Sequence, residues 1–72
     1  TTIHYRLPSS QPVKLIVYDT LGQTVATLVD ENKSAGAHAV VFDPPRSAGS
    51  GLYFYRLTAG QYEETRKLML LR

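Results

Sequence analysis

The residues best suited to chemistry are the two histidines, His4 and His38. A histidine can serve as a general base or as a zinc ligand, but a zinc site needs further ligands at short, defined spacings. No second ligand stands at such a spacing from either histidine, and the two lie in different predicted strands. We therefore interpret both as surface or hydrogen-bonded residues, and we predict neither a metal nor any other cofactor.

The serines and the acidic residues give no stronger catalytic signal. The serines of the chain are Ser9, Ser10, Ser34, Ser47 and Ser50. None of them lies in a nucleophile-elbow pattern. The adjacent acidic pair Asp30 and Glu31 precedes a turn, where a solvated loop explains it, and calcium would need more oxygen ligands. Because no nucleophile, base and oxyanion donor converge in the sequence, we predict that the protein is not an enzyme.

Size and charge narrow the remaining functions. The 72 residues suffice for one domain, spanning 1–72, and at this size an exposed binding face is easier to build than a deep cleft. Eight Lys and Arg against six Asp and Glu give a net charge of +2, too small and scattered for a nucleic-acid partner. No apolar run approaches the roughly 20 residues of a membrane span. The chain lacks an initiator Met and a signal region, so we interpret it as a module of a larger protein.

The elements that position all these residues are predicted to be strands. Apolar and polar residues alternate between turn signals about every 8 to 12 residues, a spacing typical of sandwiches and barrels. We expect strands at residues 2–7, 13–19, 23–29, 37–43, 52–58 and 62–71, a polar loop at 30–36 and a short first strand at a sheet edge. The proline-rich stretch 43–51 is predicted to cross between sheets. This pattern predicts an all-β, immunoglobulin-like antiparallel β-sandwich of six to seven strands.

The segment "SGLYFYRL" carries an apolar residue at nearly every position. Side chains alternate between the two faces of a strand, so Tyr53, Tyr55 and Leu57 share one face, which we assign to the core. Leu52 and Phe54 lie on the other face. They form a partly exposed apolar patch unless a neighbouring strand or loop covers them.

Glycines and one tyrosine mark the predicted corners of the sandwich. Gly22 and Gly36 are expected to close turns. Tyr53 follows Gly51 by two residues, which is the spacing of a tyrosine corner. In that motif the tyrosine packs inward and its hydroxyl bonds to the backbone of the preceding corner.

The whole chain resembles one known family. The segments "TTIHYRLP", "VKLIVYDTLGQTVATLVD", "AGAHAVVFD", "SGLYFYRLTAG" and "TRKLMLLR" are similar, in order and spacing, to the type A C-terminal sorting domains of the bacterial type IX secretion system. A related immunoglobulin-like domain of flagellar hook-capping proteins shares the "YD..G" hairpin and the "SG.YFYRL" strand. That domain has Trp, Asp and Gly where this chain has Phe42, Asp43 and Pro44, and the departure favours the sorting family.

The resemblance implies a role in protein secretion. Members of this family follow a cargo domain in the same precursor, are exported to the periplasm, and are recognised by the outer-membrane translocon. A sortase-like cysteine protease then removes them at the cell surface. The "NP" linker that usually precedes the first two strands of the family is absent here, so cleavage is expected before Thr1. The alternative is a non-catalytic immunoglobulin-like module that stays in the mature protein as a spacer, a hook-cap-like assembly element or a carbohydrate-binding module. The last would need a row of exposed aromatic residues, which Tyr5, Tyr18 and Tyr62 do not obviously form.

The surface that the translocon would read is predicted in the last hairpin. Both "GLYFYRL" and the terminal strand offer apolar side chains on both faces, which soluble proteins usually avoid unless a partner covers them. The predicted recognition residues are Leu52, Phe54, Arg66, Lys67, Leu68, Met69, Leu70, Leu71 and Arg72. Gly22, Gly36, Gly51, Tyr53 and Tyr55 are predicted to be structural.

Overall fold

The protein folds as a two-sheet antiparallel β-sandwich. The computed structural model describes residues 1–45 and 47–71. Its six strands are β1 (Thr2–Leu7), β2 (Gln11–Tyr18), β3 (Thr24–Lys33), β4 (Gly36–Val41), β5 (Gly51–Ala59) and β6 (Tyr62–Leu70). The predicted all-β sandwich is confirmed, and the strand count falls within the six to seven expected.

The two sheets differ in size. The large sheet has the strand order β3-β2-β5-β6, and the small sheet pairs β1 with β4. The connection 42–50 carries the chain from β4 in the small sheet to β5 in the large one. The predicted crossing is therefore confirmed, as is the position of the first strand at a sheet edge.

The core lies between the inner faces of the two sheets. Val13, Leu15 and Val17 alternate along β2 and are 2%, 0% and 0% exposed, because the side chains of every second residue point inward. The small sheet and its extension contribute Ile3, Leu7 and Phe42, against which Val40 packs partly buried. The other core residues are Val29, Ala48, Tyr53, Leu57, Ala59 and Leu70. Burial of this apolar surface is the main stabilising term in a chain without disulfides.

The β2–β3 hairpin turns on Asp19 and Gly22. The Asp19 carboxylate Oδ1 accepts hydrogen bonds from the backbone N–H groups of Leu21 and Gln23, each at 2.9 Å. Gly22, with a φ of 82°, donates its N–H to the Asp19 carbonyl oxygen at 3.1 Å. A residue with a side chain is disfavoured at that backbone angle, which explains the predicted turn glycine.

The tyrosine corner predicted at Tyr53 is present. The Tyr53 hydroxyl donates a hydrogen bond to the Gly49 carbonyl oxygen at 2.7 Å, in the connection that leads into β5. The Tyr53 side chain is buried, and Tyr55 is half-buried against the core. Gly51 has a φ of 142°, in the region that favours glycine, so it can redirect the backbone between the corner and the strand.

The polar loop predicted at residues 30–36 is wrong in extent. Strand β3 continues to Lys33, and β4 already begins at Gly36, which leaves a connection at residues 34–35. The first half of β2 supplies the backbone partners, since Gln11 pairs with Lys33 and Lys14 with Asp30. Backbone pairing does not require apolar side chains at an edge strand, so a polar segment such as "DENK" can extend it.

Candidate recognition surface

The outer face of the large sheet gathers apolar residues from three neighbouring strands. Leu52 and Phe54 of β5 lie directly opposite Met69 and Lys67 of β6. On the other side of β5, Phe54 pairs with Tyr18 of β2. Directly opposite residues point to the same face, so these side chains are neighbours on the face that lies away from the core.

We name this cluster the outer patch; it consists of Ile16, Tyr18, Leu52, Phe54 and Met69. Four of its members are partly buried, and Met69 is 60% exposed. The small sheet packs on the opposite face of the large sheet, where the core residues lie. Large exposed apolar patches are typical of binding surfaces, and of the five residues here Met69 alone is mostly exposed.

Basic side chains border the outer patch. The Arg56 guanidinium lies over the Tyr18 ring, 5.4 Å from its centre, which is a cation–π geometry. Its Nε is also 3.7 Å from Glu63 Oε1, a distance at which the exposed ion pair contributes little. Lys67 lies opposite Phe54, and Lys14 lies two residues before Ile16 on the same face of β2. The surface is therefore apolar at its centre and charged at its border, where Glu63 lies beside Arg56 and Asp30 lies opposite Lys14.

The predicted recognition residues divide between the two faces of the terminal strand. Lys67 and Met69 lie on the outer face with Leu52 and Phe54. Leu68 pairs with Tyr53 and Leu70 with Gly51, so both point inward; Leu70 is 6% exposed and Leu68 is half-buried against the core. Leu71 follows the end of β6 and is exposed, and Arg72 lies outside the described residues.

Arg66 also lies on the inner side, within a polar network on β6. The Glu64 carboxylate accepts hydrogen bonds from the Tyr62 hydroxyl at 2.7 Å and from Arg66 Nε at 2.6 Å. These bonds, first from Tyr62 and then from Arg66, hold the pKa of the Glu64 carboxyl below its ordinary value. The same hydrogen bond to Glu64 raises the pKa of the Tyr62 phenol. Arg66 is thus held by Glu64, on the side away from the outer patch.

The two histidines are far from the outer patch. His4 is exposed on the outward face of β1. His38 stacks on Tyr5 of the paired strand, with ring centres 5.2 Å apart. Its Nε2 is 2.8 Å from the Ser34 carbonyl oxygen, and because a carbonyl can only accept, Nε2 carries the proton. No group of three or more His, Cys, Asp or Glu side chains in residues 1–45 and 47–71 is arranged to hold a metal ion.

The tyrosines discussed for carbohydrate binding do not share one face. Tyr5 and Tyr62 line a cleft between the small sheet and β6, together with Tyr55. Tyr18 lies on the outer face of the large sheet, beneath Arg56.

Sequence reasoning did not assign Ile16 and Tyr18 to the outer patch, although the signal was present. The segment "VKLIVYD" has apolar residues on both faces, just as "GLYFYRL" does. Val13, Leu15 and Val17 fill the core, which leaves Ile16 and Tyr18 for the opposite face. What the sequence could not provide is that β2 is the neighbour of β5, which brings Tyr18 beside Phe54.

Comparison with known proteins adds no relative. No protein-family model matches the chain, and no curated protein or solved structure matches it either. Within the part of the chain that the structure describes, no helix is long and apolar enough to cross a membrane.

Proposed function

We propose that this domain is a C-terminal sorting signal of the type IX secretion system. In this proposal it directs a fused cargo protein from the periplasm across the outer membrane, and a sortase-like cysteine protease then removes it at the cell surface. The domain itself catalyses nothing. The resemblance of the whole chain to type A sorting domains supplies the pathway, and the outer patch supplies a surface that the translocon can read.

The observation that carries the proposal is the outer patch. It lies where the two segments most typical of the sorting family, "SGLYFYRL" and the terminal strand, pair with each other. Its centre is apolar and its border is charged, so a partner can gain affinity by burying Phe54 and Leu52 and can be oriented by Lys67. Leu68 and Leu70, which point inward, contribute to the fold that presents this surface.

The test uses a reporter protein fused to the 72 residues in a bacterium with this secretion system. Phe54→Ser and Lys67→Ala change the outer face without touching the core residues. Val41→Ser is the matched control, because Val41 is 66% exposed on the outward face of the small sheet. Removing residues 67–72 is less informative, since it also removes the buried Leu70 and destabilises the fold.

We expect the wild-type and Val41→Ser fusions to reach the cell surface, and the Phe54→Ser fusion to accumulate in the periplasm. Thermal unfolding of each isolated domain checks that the variants fold. Outer-face variants that fold normally and still deliver the reporter at the wild-type level would exclude the outer patch as the signal. If the wild-type domain fails to direct export, or stays on the surface-exposed reporter, the alternative of a retained immunoglobulin-like module is supported instead.

A further inference from the structure

The small sheet has two strands, and among the described residues β1 forms one of its two open edges. The Phe42 N–H donates to the Thr1 carbonyl oxygen at 2.7 Å, and the Thr1 amino group donates to the Phe42 carbonyl oxygen at 3.5 Å, so this pair is hydrogen-bonded. In an antiparallel ladder the bonded pairs recur at every second residue, and the β1–β4 register is continuous. The N–H and C=O groups of Thr2, His4 and Arg6 therefore point away from β4. Among the described residues, no strand pairs with them.

This open edge faces a cleft. The cleft has a volume of about 440 Å³, and residues 3–6 of β1 all line it. Residues from both faces of β1 therefore border the cleft, and Ala37 and His38 of the paired strand β4 line it as well. Leu57 and Tyr55 of β5 contribute apolar surface to the cleft, and Tyr62 and Arg66 line it from β6. The cleft therefore adjoins both unpaired backbone groups and aromatic surface.

Among the side chains that line the cleft, Arg6 and Arg66 carry positive charge and Glu64 carries negative charge. His4 and Arg6 are exposed on the outward face of β1, and no ion pair among the described residues involves Arg6. Arg66, the other arginine of the cleft, is bonded to Glu64. The carboxylate in the cleft, Glu64, already accepts bonds from Tyr62 and Arg66. A second copy of β1 at this edge would bring the same basic residues together, whereas acidic side chains would complement them.

We propose that the open edge of β1 binds an extended peptide segment of alternating acidic and apolar residues from a partner protein. The segment adds as the third strand of the small sheet and bonds to the backbone of Thr2, His4 and Arg6. Its acidic side chains lie on the outward face beside His4 and Arg6. Its apolar side chains enter the cleft against Tyr55 and Tyr62. This site is separate from the outer patch, so the inference goes beyond the proposed sorting function.

The geometry sets the length of the segment. Strand β1 has six residues, which corresponds to about 20 Å of extended chain. A suitable probe is therefore a blocked seven-residue peptide, EVEIEVE, in which every second residue is apolar. The matched control is KVKIKVK, which keeps the apolar residues and the β propensity but reverses the charge.

Amide hydrogen exchange of the 72-residue chain, followed by NMR, tests the backbone pairing. With EVEIEVE we expect slower exchange at His4 and Arg6, whose N–H groups point to the open edge. The amides of Ile3 and Tyr5, already bonded to β4, should change little, and those of the outer patch should not respond. We expect EVEIEVE to bind about tenfold more tightly than KVKIKVK, since several cross-strand charge pairs change sign together.

Two variants separate the roles of charge and backbone. Arg6→Glu should weaken EVEIEVE binding about fivefold and strengthen KVKIKVK binding. His4→Pro removes an N–H that points to the open edge. It should abolish the protection that the peptide gives to the Arg6 amide, while keeping the β1–β4 bonds. Its control is Ala39→Pro on β4, the residue paired with His4, which removes the N–H from the opposite edge of the same sheet.

The proposal is overturned if EVEIEVE at millimolar concentration leaves the exchange of His4 and Arg6 unchanged, or if KVKIKVK binds equally well. Protection of the same amides that depends on protein concentration without peptide would also overturn it, because a second copy would then occupy the edge. If His4→Pro does not fold, Arg6→Glu still tests the proposal, because it should weaken the binding of EVEIEVE and strengthen that of KVKIKVK.

Discussion

The hydrogen bond of the tyrosine corner can be isolated by the substitution Tyr53→Phe. The ring remains, so its packing in the core is unchanged, and only the hydroxyl bond to the Gly49 carbonyl oxygen is lost. A neutral hydrogen bond contributes about 0.5–1.5 kcal/mol net, and the penalty is larger when the abandoned partner is buried. Gly49 is exposed, so water can replace the hydroxyl there. We therefore expect a loss of about 1 kcal/mol in the free energy of unfolding.

Removing the ring as well should cost much more. Tyr53→Ala also deletes a buried aromatic side chain, and truncations of this kind cost about 3–5 kcal/mol. A domain of 72 residues at roughly 0.05–0.15 kcal/mol per residue has only about 4–11 kcal/mol of stability. Tyr53→Ala thus removes a large fraction of the total, whereas Tyr53→Phe leaves a folded domain in which the single bond can be measured.

The assay is denaturant unfolding of the isolated domain, with thermal unfolding as a second measurement. For a domain of this size a loss of 1 kcal/mol lowers Tm by roughly 4–8 °C. Tyr62→Phe is the matched control, because Tyr62 is 54% exposed and loss of its hydroxyl bond to Glu64 should shift the unfolding midpoint much less. Equal midpoints for Tyr53→Phe and Tyr62→Phe would refute the conclusion that the corner bond stabilises the fold.

Two further predictions follow from the backbone and from β6. Gly51→Val should destabilise the domain by about 1–3 kcal/mol because of the φ of 142°, although nothing lies within 4 Å of the added Cβ. Gly49→Ala should be tolerated, since nothing lies within 4 Å of its added Cβ either. Similar melting temperatures for the two variants would contradict this prediction. The pKa of Glu64, followed by NMR, should rise toward its ordinary value in Tyr62→Phe, whereas an unchanged titration would show that this hydrogen bond does not matter. Because the folded-state pKa is lowered, this network stabilises the protein above the ordinary pKa of a glutamate, and that contribution is lost as the pH falls through the lowered value.

Strands were predictable wherever one face is buried. The alternation of Ile3, Tyr5 and Leu7 predicts the bounds that β1 has in the structure. The predicted core face of β5, with Tyr53 and Leu57, is also the buried one. The prediction failed at "DENK", where β3 continues as an exposed edge. A strand that needs only backbone partners has no hydrophobic period, so its end depends on the neighbour and not on its own side chains.

The candidate surface was predictable in part for the same reason. The sequence shows that Leu68 and Leu70 alternate with Lys67 and Met69, but it does not show which set faces the core. The pairing of Leu70 with Gly51 decides this, because it continues the face on which Tyr53 is buried. Register and strand order are long-range properties, and a single sequence contains them only indirectly.

The two sheets of this small domain differ in size, which leaves apolar surface of the larger sheet uncovered. A four-stranded sheet covered on one face by two strands leaves its outer face in solvent, with Phe54 and Met69 on it. Long apolar edges promote aggregation, and charged residues on edge strands oppose it. Lys67 on β6 and Arg6 on β1 supply such charges beside the outer patch and the open edge. Under the two proposals, these charges disfavour a second copy of the chain at either surface and complement a partner that brings acidic groups.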